Sequence, residues 1–213
     1  MSSIERGVRV RMIEAGRRMN ALGINQGKSG NVSVRVEGGF LVTPSGIPYD
    51  ALNPADIVFM RRDGEREGTY TPSSEWRLHR DIYEKRLEAG AIVHTHSSHA
   101  TSLACLRRGI PPFHYEVALA GGADVRCAEY ATFGTQELSD NAVRALEGRR
   151  ACLLANHGVV ALGRDLEDAF GMAEKVETLS RLYWQALQMG EPVLLDDAEM
   201  AQVLDKFRTY GRE

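Results

Sequence analysis

The stretch Ala91-Ile92-Val93-His94-Thr95-His96 decides how the rest of the chain is interpreted. A short apolar run that ends in polar residues is typical of a buried strand leading into a polar site. Side chains at positions i and i+2 of a strand lie on one face, so His94 and His96 present two imidazoles side by side, as a metal ion requires. On the pair alone, two hydrogen-bonded structural histidines remain the alternative.

A third histidine strengthens the metal interpretation. His157 lies in Asn156-His157-Gly158, a turn between two apolar segments. Three neutral histidines and one exchangeable oxygen ligand form the open, catalytic kind of zinc site. The remaining histidines have no spacing that recruits them to a site, and His79, four residues after Glu75, is expected to form a helix-surface pair with it.

The flanking segments predict one α/β domain over residues 1–213. Apolar or alternating runs predict strands at 32–36, 40–43, 57–60, 91–96, 151–155 and 159–162, with a polar hairpin loop at 61–68 and a strand pair around Val125 and Tyr130. Spacings of three and four predict helices at 3–22, 72–87, 97–107, 135–146, 165–189 and 197–207. Hairpin-like strand pairs between helices favour a three-layer α/β/α arrangement with a central, mostly antiparallel (mixed) sheet.

Composition excludes several classes of protein. The 213 residues carry 26 Lys and Arg against 29 Asp and Glu, so no positive field favours nucleic acid. No apolar run approaches the roughly 20 residues of a membrane span, and the N-terminus lacks a secretory signal, so we expect a cytoplasmic protein. The cysteines Cys105, Cys127 and Cys152 are odd in number and form no CxxC pair, which fits a reducing compartment, and all three are expected to be buried.

Two further segments have the chemistry of anion binding. Gly27-Lys28-Ser29 ends like a P-loop, but that motif needs glycine at position 22, where this chain has Leu22. A nucleotide-binding loop is therefore disfavoured, although free backbone N–H groups there could hold a single phosphate. Pro72-Ser73-Ser74-Glu75 opens a helix with serine as the candidate N-cap, and its hydroxyls and N–H groups also suit an anion. Taken alone, Glu75 is most simply a carboxylate that complements the helix dipole.

Five motifs, in this order and spacing, resemble the class II aldolase/adducin superfamily. They are Gly30-Asn31-Val32-Ser33, Thr43-Pro44-Ser45-Gly46, Ser73-Ser74-Glu75, His94-Thr95-His96 and Asn156-His157-Gly158. Within the superfamily the sequence is most similar to the L-fuculose-1-phosphate aldolases, through Asn25-Gln26-Gly27, Gly46-Ile47-Pro48-Tyr49, Ser73-Ser74-Glu75-Trp76-Arg77, Tyr130-Ala131-Thr132-Phe133-Gly134-Thr135 and Lys206-Phe207-Arg208-Thr209-Tyr210-Gly211.

The resemblance implies a site and a reaction. A zinc ion is held by His94, His96 and His157, and Glu75 ligates or releases it. The implied reaction cleaves a ketose 1-phosphate to an aldehyde and dihydroxyacetone phosphate through an enediolate whose charge zinc stabilises. Glu75 moves the proton on the enediolate carbon, and desolvation after its displacement from zinc is expected to raise its pKa. The implied phosphate pocket consists of Gly30, Asn31, Ser45, Gly46, Ser73 and Ser74.

The resemblance also implies a homotetramer with active sites between subunits. Tyr115 of a neighbouring subunit would exchange the proton of the C4 hydroxyl, and Tyr210 would lie over the site; without the family, Tyr115 is simply a half-buried aromatic. Alternative functions are an aldolase for another ketose phosphate, such as a deoxypentulose or methylthio analogue, a methylthioribulose-1-phosphate dehydratase, or an L-ribulose-5-phosphate 4-epimerase. Glu75 stands where the epimerases typically have Asp, and Lys28 departs from the best-known fuculose enzymes.

Overall fold

A computed structural model describes residues 3–209 of the chain. Its described residues contain one eight-stranded sheet with the order β4-β3-β2-β1-β5-β8-β7-β6. Only β6 and β7 pair in parallel, so the sheet is mixed and mostly antiparallel, as predicted. The strands are β1 (Asn31–Val36), β2 (Gly39–Val42), β3 (Val58–Arg61), β4 (Arg66–Glu67), β5 (Ala91–Thr95), β6 (Arg126–Ala128), β7 (Ala151–Leu154) and β8 (Gly158–Gly163).

The strand that opened the sequence analysis lies in the middle of this sheet. All five residues of β5 are buried, because β1 and β8 flank it and helices cover both faces. Val93 pairs with Val32 on one side and with Ala161 on the other. A strand buried on both faces needs an apolar run, which explains why Ala91-Ile92-Val93 shows no alternation.

Helices form the outer two layers and confirm the α/β/α prediction. The helices are α1 (Ser3–Ala21), α2 (Trp76–Lys85), α3 (Ser98–Cys105), α4 (Gln136–Ala145), α5 (Leu166–Met189) and α6 (Asp197–Thr209). One apolar core lies between the sheet and α1, α3 and α5, and includes Phe170 and Met12. The other lies between the opposite face and α2 and α4, and includes Ile82 and Leu138. Three short 3-10 helices, which the periodicity does not predict, occupy Tyr49–Ala51, Pro54–Asp56 and Tyr115–Ala120.

The start of α2 differs from its prediction. The N-cap position is Glu75 rather than a serine, and its side chain makes no capping hydrogen bond. Ser73 Oγ instead accepts a 3.3 Å hydrogen bond from the backbone N–H of Glu75. By contrast, α4 and α5 begin at residues that cap them as expected, since Thr135 and Asp165 accept bonds from the N–H groups of Leu138 and Asp168.

Other local predictions were wrong near the edges of the sheet. Only Arg126–Ala128 forms a strand where a pair was expected: Val125 makes an isolated bridge with Ile110, and Tyr130 lies in irregular backbone. At the opposite edge, the predicted loop 61–68 contains the short strand β4. Such edge strands pair on one side, so little apolar patterning marks them.

The cysteine prediction was correct for one residue. Cys152 is buried, Cys127 is partly exposed and Cys105 at the end of α3 is exposed; none forms a disulfide. In the described part of the chain, no helix combines the length and apolar character that crossing a membrane requires.

Candidate active site

The three predicted zinc ligands lie together at one end of the central strands. His94 is on β5, His96 follows its last residue, and His157 precedes β8 in the turn from β7. Because β5 and β8 are antiparallel neighbours, the end of one lies beside the start of the other. One ring nitrogen from each histidine lies within 4.8 Å of the other two.

The backbone orients the innermost histidine. Nδ1 of His94 lies 2.8 Å from the carbonyl oxygen of Val159. A carbonyl oxygen only accepts hydrogen bonds, so Nδ1 carries a proton and Nε2 is the nitrogen that faces the centre of the cluster. That Nε2 lies 3.0 Å from Nε2 of His96. Metal-ligating histidines typically have this outer hydrogen bond, which fixes the tautomer.

Glu75 completes the cluster from α2. Its Oε2 lies 3.1 Å from His94 Nε2, and its Oε1 lies 3.3 Å from His157 Nε2. Oε2 also accepts a 2.9 Å hydrogen bond from Asn31 Nδ2. Oε1 is buried and accepts no hydrogen bond within the described chain, which is costly for a carboxylate oxygen.

The electrostatics of the cluster suit a cation. Burial opposes ionisation of Glu75, but the charges of His94 and His157 and the hydrogen bonds from His94 and Asn31 outweigh it and lower its pKa below the ordinary range. The expected rise in the Glu75 pKa concerns the carboxylate after its displacement from the metal and stays a prediction. Burial and repulsion from His94 lower the pKa of both His96 and His157 to about 4, which leaves both rings neutral.

These donors fit a divalent metal ion. One nitrogen from each of three imidazoles faces a carboxylate that has an orphaned oxygen, and the imidazoles of His96 and His157 are neutral. Nitrogen and oxygen donors in this number are typical of a catalytic zinc site with one exchangeable position. Neutral histidines also bind a metal without first losing a proton.

A pocket of about 320 Å³ opens in front of the cluster. Glu75, His96 and His157 line it, together with every residue predicted to bind phosphate: Gly30, Asn31, Ser45, Gly46, Ser73 and Ser74. Lys28 also lines this pocket, and it has no ion pair or hydrogen bond with the residues that the structure describes. The sheet thus brings residues up to 129 positions apart in the sequence, Lys28 and His157, into one cavity.

The prediction for His79 was wrong. Its side chain is fully buried on α2 rather than paired with Glu75 at the surface. Its Nδ1 lies 2.6 Å from Ser33 Oγ, and its Nε2 is hydrogen-bonded to Asn31 Oδ1. Burial lowers the pKa of His79 to about 3, against the attraction of Glu75. Its place behind the site follows from the packing of α2 against Ser33 on β1, which no local pattern indicates.

Tyr115 does not line this pocket in the described part of the chain. Tyr115 is half exposed, and its ring stacks on His114 and lies 6.1 Å from the ring of Phe207 on α6. Tyr210 lies outside the described residues. Sequence reasoning missed Tyr130 and Phe133 as pocket residues, although the motif that contains them had been noted.

Comparison with known proteins agrees with this fold. The family model described as Class II Aldolase and Adducin N-terminal domain matches residues 10–184. A 5-methylthioribulose-1-phosphate/5-deoxyribulose-1-phosphate aldolase of Rhodospirillum rubrum is 54% identical over 94% of this chain and 90% of its own. An L-fuculose phosphate aldolase of Escherichia coli strain K12 is 49% identical over 91% of this chain and 90% of its own. A solved structure titled L-fuculose 1-phosphate aldolase superposes with a TM-score of 0.93, at 44% identity and 98% coverage of both chains.

An eight-stranded mixed sheet with a candidate three-histidine metal site defines the class as a metal-dependent lyase. The chain belongs to the class II aldolase and adducin N-terminal domain family. Its relatives are named as aldolases, and the enzyme is a class II aldolase.

Proposed function

We propose that this enzyme is a zinc-dependent aldolase that cleaves a ketose 1-phosphate to dihydroxyacetone phosphate and an aldehyde. The observation that carries the proposal is the shared pocket: the neutral histidines and Glu75 line the same cavity as the serines and glycines suited to phosphate. A ketose 1-phosphate has its phosphate close to the ketone, so one small pocket accommodates both groups.

Cleavage breaks the bond between C3 and C4 of the substrate. The C4 hydroxyl loses its proton, C4 becomes the aldehyde carbon, and the bonding electron pair passes to C3 to form an enediolate. When bound, Zn²⁺ supplies a Lewis acid that stabilises negative charge developing on the ketone and adjacent hydroxyl oxygens. His94, His96 and His157 would hold that ion. Glu75 would take up a proton from solvent in the open pocket and deliver it to C3, which completes dihydroxyacetone phosphate.

The phosphate is proposed to bind through neutral groups and one cation. Ser45, Ser73 and Ser74 offer hydroxyls, and Gly30 and Gly46 allow close approach of the backbone to the ligand. Asn31 also lines this region, and Lys28 adds a positive charge at its edge. Hydroxyls and N–H groups of this kind hold a phosphate without a strongly basic protein.

The far end of the substrate is proposed to carry an apolar group. Phe133 and Tyr130 are 65% and 50% exposed and line the pocket. A terminal methyl or methylthio group would cover these rings, which favours 5-deoxy or 5-methylthio pentuloses and 6-deoxyhexuloses such as L-fuculose, each as the 1-phosphate. The relatives' names include all three substrate types.

The active enzyme is proposed to be a cytoplasmic homotetramer with sites between subunits. Tyr115 does not line the pocket of its own chain and leaves half its surface exposed. It is therefore available to a neighbouring subunit, where its phenolate would take the proton of the C4 hydroxyl. The exposed thiol of Cys105 fits the reducing conditions of the cytoplasm.

A cleavage panel tests the reaction and its substrate. Purified enzyme with Zn²⁺ is incubated with the 1-phosphates of L-fuculose, L-rhamnulose, 5-deoxyribulose and 5-methylthioribulose and with L-ribulose 5-phosphate. We expect dihydroxyacetone phosphate and one equivalent of aldehyde, fastest from a substrate with an apolar terminus. Loss of water without dihydroxyacetone phosphate would identify a dehydratase, and inversion at C4 an epimerase.

A further inference from the structure

A chain of buried polar side chains leads from the protein interior to Glu75. The hydroxyl of Tyr83 lies 2.8 Å from Ser33 Oγ, which lies 2.6 Å from His79 Nδ1. His79 Nε2 is hydrogen-bonded to Asn31 Oδ1, and Asn31 Nδ2 lies 2.9 Å from Glu75 Oε2. All five side chains are buried, so water does not compete for these bonds.

The donor and acceptor of every hydrogen bond in this series of side chains follow from Glu75, at its end. An ionised carboxylate only accepts hydrogen bonds, so the Asn31 amide nitrogen donates to Glu75 and its Oδ1 faces His79. Oδ1 also only accepts, so His79 carries its proton on Nε2. With a pKa of about 3 the ring is neutral, which leaves Nδ1 bare to accept from the hydroxyl of Ser33. The Tyr83 hydroxyl then donates to Ser33.

With its proton on Nε2, His79 favours the same orientation of the Asn31 amide that Glu75 requires. Rotated by half a turn, the amide would place Oδ1 against the carboxylate of Glu75, and its NH₂ group would face Nε2–H unless the proton of His79 moved to Nδ1. The charge-assisted bond to Glu75 would be lost in that orientation. His79 and Glu75 lie one helical turn apart on α2, so the same helix carries the carboxylate and the group that orients its partner.

We propose that His79 is a positioning residue for the proton transfer at C3. Its side chain is fully buried and does not line the pocket, so it acts through Asn31 rather than on the substrate. The Asn31 amide in turn holds Oε2 of Glu75 and leaves Oε1 without a hydrogen bond. The inference rests on the proposed function, in which Glu75 moves that proton.

Two variants of His79 test the role of the Nε2–H donor. In His79→Leu the Asn31 amide loses its orienting partner, and we expect hydrogen exchange at C3 of dihydroxyacetone phosphate to slow by about tenfold. Zinc content and the KM for the ketose 1-phosphate should remain close to those of the wild type. In His79→Gln the side-chain amide nitrogen can replace Nε2–H, and most of the exchange rate should return. Tyr83→Phe, which removes the far end of the chain, is the matched control and should retain the rate.

A second readout does not depend on catalysis. NMR of the Asn31 side-chain NH₂ group, assigned with an Asn31→Asp variant, should show slow exchange with solvent in the wild type and faster exchange in His79→Leu. Equal exchange in the two proteins would overturn the positioning role, as would equal catalytic losses in His79→Leu and His79→Gln. A wild-type enzyme that cleaves no ketose phosphate would overturn the proposed function, while the NMR comparison would still decide the role of His79.

Discussion

Asn31 and His94 lie directly opposite each other on the antiparallel strands β1 and β5. The residue before Asn31 is Gly30, and a Cβ atom built there would lie only 2.6 Å from the carbonyl oxygen of His94. The phosphate loop and the histidine-bearing strand therefore approach each other as closely as glycine permits. Their register places the predicted phosphate site beside the predicted metal site.

A pair of glycine variants measures this close approach. Gly30 and Gly27 both have positive φ values, +67° and +62°, but a Cβ at Gly27 meets nothing within 4 Å. Both alanine variants carry the backbone strain of about 1 kcal/mol, and Gly30→Ala adds a backbone clash of about 1–3 kcal/mol. We expect Gly30→Ala to lose more unfolding free energy and more kcat/KM, measured by urea denaturation and steady-state assay. Equal losses in the two variants would contradict the crowding at Gly30.

Removing a histidine of the cluster should remove the metal. We expect the wild type to bind about one zinc ion per chain, and both His94→Ala and His157→Ala to lose it together with activity. Elemental analysis after dialysis measures the content, and circular dichroism checks that each variant folds. His99→Ala is the control, because His99 lies outside the cluster and contacts Glu177. A metal-free wild type with full activity would refute the zinc proposal.

Replacing Glu75 separates metal binding from proton transfer. Glu75→Gln keeps the three histidines and should retain zinc, but an amide cannot exchange the proton at C3. Hydrogen exchange of dihydroxyacetone phosphate in deuterium oxide, followed by NMR, should fall by about 10²–10⁴-fold. Glu84→Gln, on the exposed face of the same helix, should leave exchange unchanged. Unaltered exchange in Glu75→Gln would remove this residue from the proton transfer.

Mixing two inactive variants tests whether Tyr115 acts in a neighbouring subunit. Tyr115→Phe lacks the phenol and His157→Ala lacks a metal ligand, so each homotetramer should be nearly inactive. Reassembled hybrids would contain sites with an intact metal cluster from one subunit and an intact tyrosine from the next. We expect cleavage activity to return on mixing, with the oligomer measured by light scattering. Hybrids as inactive as their parents would place both groups in one chain.

A carboxylate between two helices predicts a pH dependence of stability. Burial opposes ionisation of Asp81, but hydrogen bonds from Gln136, Ser139 and Arg80 outweigh it and lower its pKa. A lowered pKa stabilises the fold above the unfolded value of about 4, and this contribution is lost as the pH falls through the folded value.

The variant Asp81→Asn should therefore lose about 1–3 kcal/mol of unfolding free energy at pH 7. The difference in unfolding free energy between Asp81→Asn and the wild type should become smaller below about pH 4. Urea denaturation across this range measures both effects. The control is Asp205→Asn, which changes an exposed carboxylate. A difference in unfolding free energy between Asp81→Asn and the wild type that stays constant with pH would contradict the stabilising role of the ionised Asp81.

The layered fold and the metal cluster were predictable because their signals are local. Apolar runs mark the strands around β5, and the spacing of His94 and His96 already places them on one face. The position of His157 in the same cluster follows from pairing of β5 with β8, which no local pattern specifies. The turn between two apolar segments made His157 a candidate third ligand, and the family resemblance strengthened that prediction.

Other features depend on which element covers a given face. His79 is polar and lies one position from the apolar stripe of α2, so its burial follows only from the packing of α2 against Ser33 on β1. Tyr130 and Phe133 lie in irregular backbone, where no periodicity indicates a direction. Cys105 is exposed because α3 ends there, one residue before a turn. In each case the missing information is tertiary.

The register between β1 and β5 fixes the distance between two parts of the pocket. Hydrogen bonds between two central strands cannot slide by one residue without turning every side chain to the other face. The separation between the Gly30-Asn31 segment and the histidines is thus constant. Under the proposed function, this constant separation would favour a phosphate next to the ketone over a phosphate at the opposite end of the sugar.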